Sequence, residues 1–123
     1  MPWQTSIHPD HPIVETRYSG VLSTSELSDA INETLALSQT RGFTLFLGDC
    51  TELVGGHSVV DLYYFAEMIT TRAAGRTFKE AVILPSLPDS AENVKFWETT
   101  CENRGLRVRI FLDRASAIKW LLE

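Results

Sequence analysis

From Ile13 onward the chain alternates β-rich apolar runs with segments of helical spacing, and this alternation narrows the available folds more than any single motif. Parallel neighbouring strands need a crossover, usually a helix, so strict alternation predicts an α/β fold with a mixed, mostly parallel sheet and helices packed against it. Trp3 to Ile7 and Ile13 to Tyr18 read as strands joined by the turn-forming His8-Pro9-Asp10-His11-Pro12, an N-terminal antiparallel hairpin. Ser23-Thr24-Ser25-Glu26 is a capping box, and Leu27, Ala30, Ile31, Thr34, Leu35 and Ser38 continue one helical face until Gly42. Phe43 to Leu47 suits a strand covered on both faces, ending at Gly48-Asp49-Cys50 before a loop with Gly55-Gly56.

Ser58, with Asp61 three residues on, marks the start of a second helix running to about Arg72 or Gly75. Ala81 to Leu84 is a further strand, stopped by Pro85-Ser86-Leu87-Pro88. Asp89 or Ser90 caps a third helix with Ala91, Val94, Trp97 and Cys101 on one face, ended by Gly105. Val108 to Leu112 is the last strand, and Asp113 caps a final helix through Ala115, Ile118, Leu121 and Leu122. The predicted order is β-β-α-β-α-β-α-β-α, which residues 1–123 fill as a single domain.

Several classes of function are disfavoured at this level. Eleven basic against sixteen acidic residues give a net charge of −5, which offers phosphate backbones no electrostatic support, so nucleic acid is not an expected partner. Cys50 and Cys101 lack metal-ligand or C-x-x-C spacing and read as free thiols of a reducing cytosol. No leader pattern opens the sequence, and no stretch approaches the ~18 apolar residues of a membrane span, so a cytoplasmic protein is expected. Neither G-x-G-x-x-G nor a P-loop is present, and no cofactor is implied.

Three passages carry a family resemblance: Tyr18-Ser19-Gly20-Val21-Leu22-Ser23, Phe43-Thr44-Leu45-Phe46-Leu47-Gly48-Asp49, and Ile110-Phe111-Leu112-Asp113 with Ala115, Ala117, Trp120 and Leu121. In them the chain resembles the STAS domain, the fold of bacterial anti-sigma-factor antagonists, and most closely its SpoIIAA-like branch, over nearly its whole length. The resemblance implies a regulatory or binding module rather than an enzyme. In the antagonists an Asp-Ser pair, a small residue and Gly-Leu open the helix after the second core strand, and a partner kinase phosphorylates the Ser. Here Gly56-His57-Ser58-Val59-Val60-Asp61-Leu62 occupies that place, with Ser58 matching by position, His57 where the acid would stand, and the small-residue-Gly step missing. A phosphate on Ser58 would be stabilised at a helix N-terminus, so a phospho-regulated antagonist switched at Ser58 is one expectation; the plainer account is an N-cap.

Gly56-His57-Ser58 also matches half of a nucleophile elbow, which would make Ser58 the centre of a small serine hydrolase, but Val60 replaces the closing Gly. His8, Asp10 and His11 could offer metal ligands, although a solvated turn explains them beside two prolines, and no metal is expected. Asp49 and Cys50 fall at the C-terminal end of a core strand, where open α/β sheets bind ligands, and so are candidates for a pocket rim; a turn cap and a buried small side chain are the alternative.

The second helix is the most informative segment. Val59, Leu62, Ala66 and Ile69 form the stripe expected on the sheet, leaving Val60, Tyr64 and Met68 on another face with Phe65 at its margin. That second stripe either packs internally or meets a small apolar, lipid-like ligand, a partner protein, a second copy in a homodimer, or a membrane surface peripherally. The resemblance to the SpoIIAA-like branch, and to the similar lipid-carrying CRAL-TRIO fold, implies an apolar ligand or membrane association. The expected function is thus a non-enzymatic binding module, with Asp49, Cys50, His57, Ser58, Val60, Tyr64, Phe65 and Met68 as its candidate face.

Overall fold

A computed structural model describes residues 2–55, 59–73, 76–85 and 88–123. Among these the elements run β1 (Trp3–Ile7), β2 (Ile13–Val21), α1 (Thr24–Arg41), β3 (Leu45–Gly55), α2 (Val59–Arg72), β4 (Lys79–Ile83), α3 (Pro88–Glu102), β5 (Arg107–Phe111) and α4 (Arg114–Leu121). The strands form one sheet in the order β1-β2-β3-β4-β5, with β1 antiparallel to β2 and the other three pairings parallel. The α/β class, the hairpin and the mostly parallel mixed sheet expected from the alternation are all present.

The period-two geometry of the strands separates two cores. Val14, Phe46, Cys50, Leu53, Val82 and Val108 point to one face, where Leu27, Ile31 and Leu35 of α1, Leu62, Phe65 and Ala66 of α2, and Val94 and Cys101 of α3 meet them. Each crossover steps one strand further in the same direction, and crossovers of one hand place α1, α2 and α3 on a common side. Ile13, Leu47, Ala81 and Ile83 point to the other face, closed by Ala117, Trp120 and Leu121 of α4.

Local chemistry fixes the helix ends. The Ser23 hydroxyl accepts from the Glu26 N–H at 3.1 Å while the Glu26 carboxylate accepts from the Ser23 N–H at 2.9 Å, the reciprocal capping box the sequence announces. Gly42 ends α1 at φ 71°, a left-handed conformation that favours glycine. The Asp113 carboxylate caps α4 by accepting from the Ser116 N–H at 2.8 Å, which holds its pKa below the usual range.

Several boundaries differ from the sequence reading: β3 starts at Leu45, β4 at Lys79 and β5 at Arg107, and α3 starts at Pro88, which puts Asp89 and Ser90 inside the helix rather than at its cap. β2 continues past Tyr18 to Val21, and β3 does not end at Gly48-Asp49-Cys50 but runs to Gly55, because the two strands stay paired through Ser19↔Glu52, Gly20↔Leu53 and Val21↔Gly55 across two register shifts. The stretch from Asp49 to Gly55 is therefore sheet, not a free connection. At the opposite border, β5 has its outward N–H groups occupied: Val108 donates to Glu102 at 3.1 Å and Ile110 to Glu98 at 2.8 Å. Two residues of strand rise about 6.6 Å and four of helix about 6 Å, so the i,i+4 glutamates of α3 match alternate amides of the strand.

Candidate functional site

Between the sheet and the layer of α1, α2 and α3 lies a cavity of about 120 Å³. Its floor is Tyr18 of β2, Phe46, Gly48 and Cys50 of β3, and Glu80 and Val82 of β4; Trp97 and Cys101 of α3 stand across from them, and aliphatic side chains from α1 and α2 complete an overwhelmingly apolar wall. Gly48 is part of the reason the space exists. A Cβ built there would enter it, in ordinary contact at 3.8 Å from both Glu80 Oε2 and Val82 Cγ2.

Glu80 brings the sharpest chemistry. It alternates with Ala81, so it faces the cavity together with Val82. Trp97 Nε1 donates to its Oε1 at 2.9 Å. Burial raises the Glu80 pKa from its ordinary value, and the Trp97 hydrogen bond opposes that only in part. Tyr18 is likewise enclosed, and burial followed by the Glu80 charge pushes its phenol well up. Glu80 is near enough for its charge to be felt at Cys50 and Cys101 as well. Both cysteines are free and buried, and burial drives both thiols up, leaving them protonated and poor nucleophiles.

The structure separates Asp49 from Cys50. Neighbours on a strand point to opposite faces, so Cys50 lines the cavity and Asp49 belongs to the α4 side. There Asp49 accepts from the Thr51 N–H and hydroxyl at 3.0 and 2.7 Å, and pairs with Arg17 at 3.5 Å. Arg17 also reaches Glu15 at 3.7 Å, and Arg114 donates to the same carboxylate. One guanidinium nitrogen of that residue, Arg114 Nη1, has no hydrogen-bond partner among the described residues. Asp49 thus pairs with the neighbouring strand on the face away from the cavity, whose lining does not include it.

The α2 candidates divide too. Phe65, placed by its spacing at the margin of a second face, is 1% exposed and belongs to the core; it presents nothing to a ligand or partner. Met68 is half-buried against the same core, whereas Val60 and Tyr64 are 75% and 62% exposed, so the second stripe is internal at one end and open at the other. His57 and Ser58 lie outside the described residues, and with them the phospho-switch and hydrolase readings. The His8 and His11 rings stand 4.9 Å apart and His8 Nδ1 accepts from the Asp10 N–H at 3.0 Å, a self-bonded turn. Among the described residues no group of three or more His, Cys, Asp or Glu side chains could hold a metal ion, and no helix is long and apolar enough to cross a membrane.

Sequence reasoning missed Tyr18, Gly48, Glu80 and Trp97 as a site, because they come from three strands and a helix with no common spacing. One signal was available: Glu80 is a charge set in the run Glu80-Ala81-Val82-Ile83, in phase with an inward valine. Compared with protein-family models and with curated proteins, the chain finds no match in either.

Proposed function

We propose that this chain is a non-enzymatic binding module of STAS-like architecture that holds a small apolar molecule in the cavity between its sheet and α1, α2 and α3. The observation that carries the reading is the cavity itself. Left empty, a space of about 120 Å³ deprives its apolar wall of packing partners. Interiors are otherwise packed with few voids larger than a water molecule. An apolar cavity of about 150 Å³ takes up benzene, so this one suits a single ring or the end of a short chain. The protonated, enclosed thiols are poor nucleophiles, which favours binding over chemistry at these walls. Two free thiols also suit a reducing, cytoplasmic setting.

Toluene titrated into isotopically labelled protein tests this. Shifts are expected at the Trp97 indole N–H and the Gly48 amide, both at the cavity wall, with a Tm that rises as toluene is added. Absence of shifts up to the solubility limit of toluene would overturn the reading.

A further inference from the structure

We propose that the molecule held in the cavity carries a hydroxyl group, bonded to Oε2 of Glu80 with the Tyr18 hydroxyl beside it. This rests on the ligand-binding reading above and names the class of ligand: a phenol or cyclic alcohol with one polar end and an otherwise hydrocarbon body.

The argument starts from what each polar atom already has. Oε1 of Glu80 accepts from Trp97 Nε1, which fixes the carboxyl group and aims Oε2 over Gly48. Among the described residues neither Oε2 of Glu80 nor the Tyr18 hydroxyl has a hydrogen-bond partner, and both residues, each half-buried, line the cavity. In an apolar cavity the few polar atoms of the wall that lack a protein partner are the ones that orient a bound molecule. The two unpartnered atoms therefore mark where a ligand's polar end belongs.

The chemistry of that end follows from its surroundings. A hydroxyl both donates and accepts, so it satisfies a carboxyl group in either protonation state and a phenol at the same time. A carboxylate head would set a second acid beside Glu80, and like charges this close oppose one another. An ammonium head would require Glu80 to ionise inside an apolar chamber, where the loss of hydration of both ions offsets their attraction. The bare hydrocarbon fills the space and leaves both protein atoms unpaired.

Matched pairs decide the matter: toluene against p-cresol, and methylcyclohexane against 4-methylcyclohexanol, with p-toluate as the anionic control. Each is titrated into the wild-type protein and read at the Trp97 indole N–H. The hydroxylated member of at least one pair is expected to bind about fivefold or more tightly than its hydrocarbon, the gain of one well-made hydrogen bond, and the pair that shows it separates phenol from cyclic alcohol. In Glu80→Leu that gap closes while the hydrocarbons still bind. Equal affinities within both pairs would overturn the hydroxyl assignment and leave the apolar cavity standing as a binding site. So would p-toluate binding as tightly as p-cresol, or a gap that persists in Glu80→Leu. If none of the five compounds binds, the proposed function itself falls. The wild-type comparison needs no variant, so a failure of Glu80→Leu to fold does not remove the test.

Discussion

On the α4 side of the sheet Trp120 lies against Phe111, with ring centroids 5.6 Å apart, and Lys79 donates to the Trp120 carbonyl at 2.5 Å while its ammonium sits 4.5 Å from the centre of the indole. On the other side, Trp97 also meets a charged residue of β4, but its N–H reaches only one oxygen of Glu80 and the second oxygen faces open space. Two adjacent residues of one strand, Lys79 and Glu80, thus have opposite fates. The lysine is consumed by structure, snorkelling along an aromatic face to a carbonyl at the end of a helix. The glutamate is held in place and left half used. The contrast teaches that burial of a charged side chain does not by itself mark a site; an unused polar atom beside a cavity is the more telling sign.

The comparison is broken most forcefully on the closed side. Trp120→Ala removes the side chain that covers Phe111 and Lys79, and should destabilise the fold by roughly 3–5 kcal/mol, read as a lower urea midpoint with an unchanged slope. A cost below about 1 kcal/mol would show that α4 does not close a packed core.

A pH series on Glu80→Gln sharpens the comparison next. Burial holds the Glu80 proton to a higher pH in the folded state than in the unfolded chain, so above the ordinary value of 4.5 the native protein keeps a proton that the unfolded chain has lost. Stability contributed by this group is therefore lost as pH rises through the window up to the raised folded pKa, and the loss persists above it. Glu80→Gln should be more stable than wild type at pH 8, and the difference should shrink towards pH 4. Denaturant midpoints at the two pH values check this, and an identical difference at both would refute it.

The smallest expected effect carries the most telling sign. Gly48→Ala places a methyl group in the cavity at ordinary contact distances, and alanine also loses less backbone freedom than glycine within a strand. Stability should rise by about 0.5–1 kcal/mol while toluene affinity falls. A well-packed wall would respond in the opposite sense, since added volume in a full core destabilises.

Much of the architecture was legible because local and global signals agree. Ser23 with Glu26, Gly42 and Asp113 mark helix ends that the fold uses, and the alternation after Ile13 yields the parallel part of the sheet. The site was less legible for a physical reason. Gly48-Asp49 reads as a turn because both residues favour turns, yet β3 passes straight through them: Gly48 supplies absent volume on one face and Asp49 a carboxylate to Arg17 on the other. The spacing of α2 found two faces but placed Phe65 on the wrong one, since helical periodicity gives angles between residues and not the width of the stripe that the neighbouring α3 covers. A cavity is a sum of missing contacts among distant residues, and no local window in the sequence carries it.

A strand at the border of a sheet is the place where two chains most readily join, backbone to backbone, into larger aggregates. Along β5 that junction is refused by α3, whose Glu98 and Glu102 occupy the amides a second chain would need. The same helix supplies Val94, Trp97 and Cys101 to the cavity wall. Cavity wall and border guard are therefore one rigid body, and a guest admitted by lifting α3 would strip the guard from the strand at the same moment. Movement of α1 or α2 over the cavity would leave that border sealed, because neither helix touches the β5 amides that Glu98 and Glu102 hold.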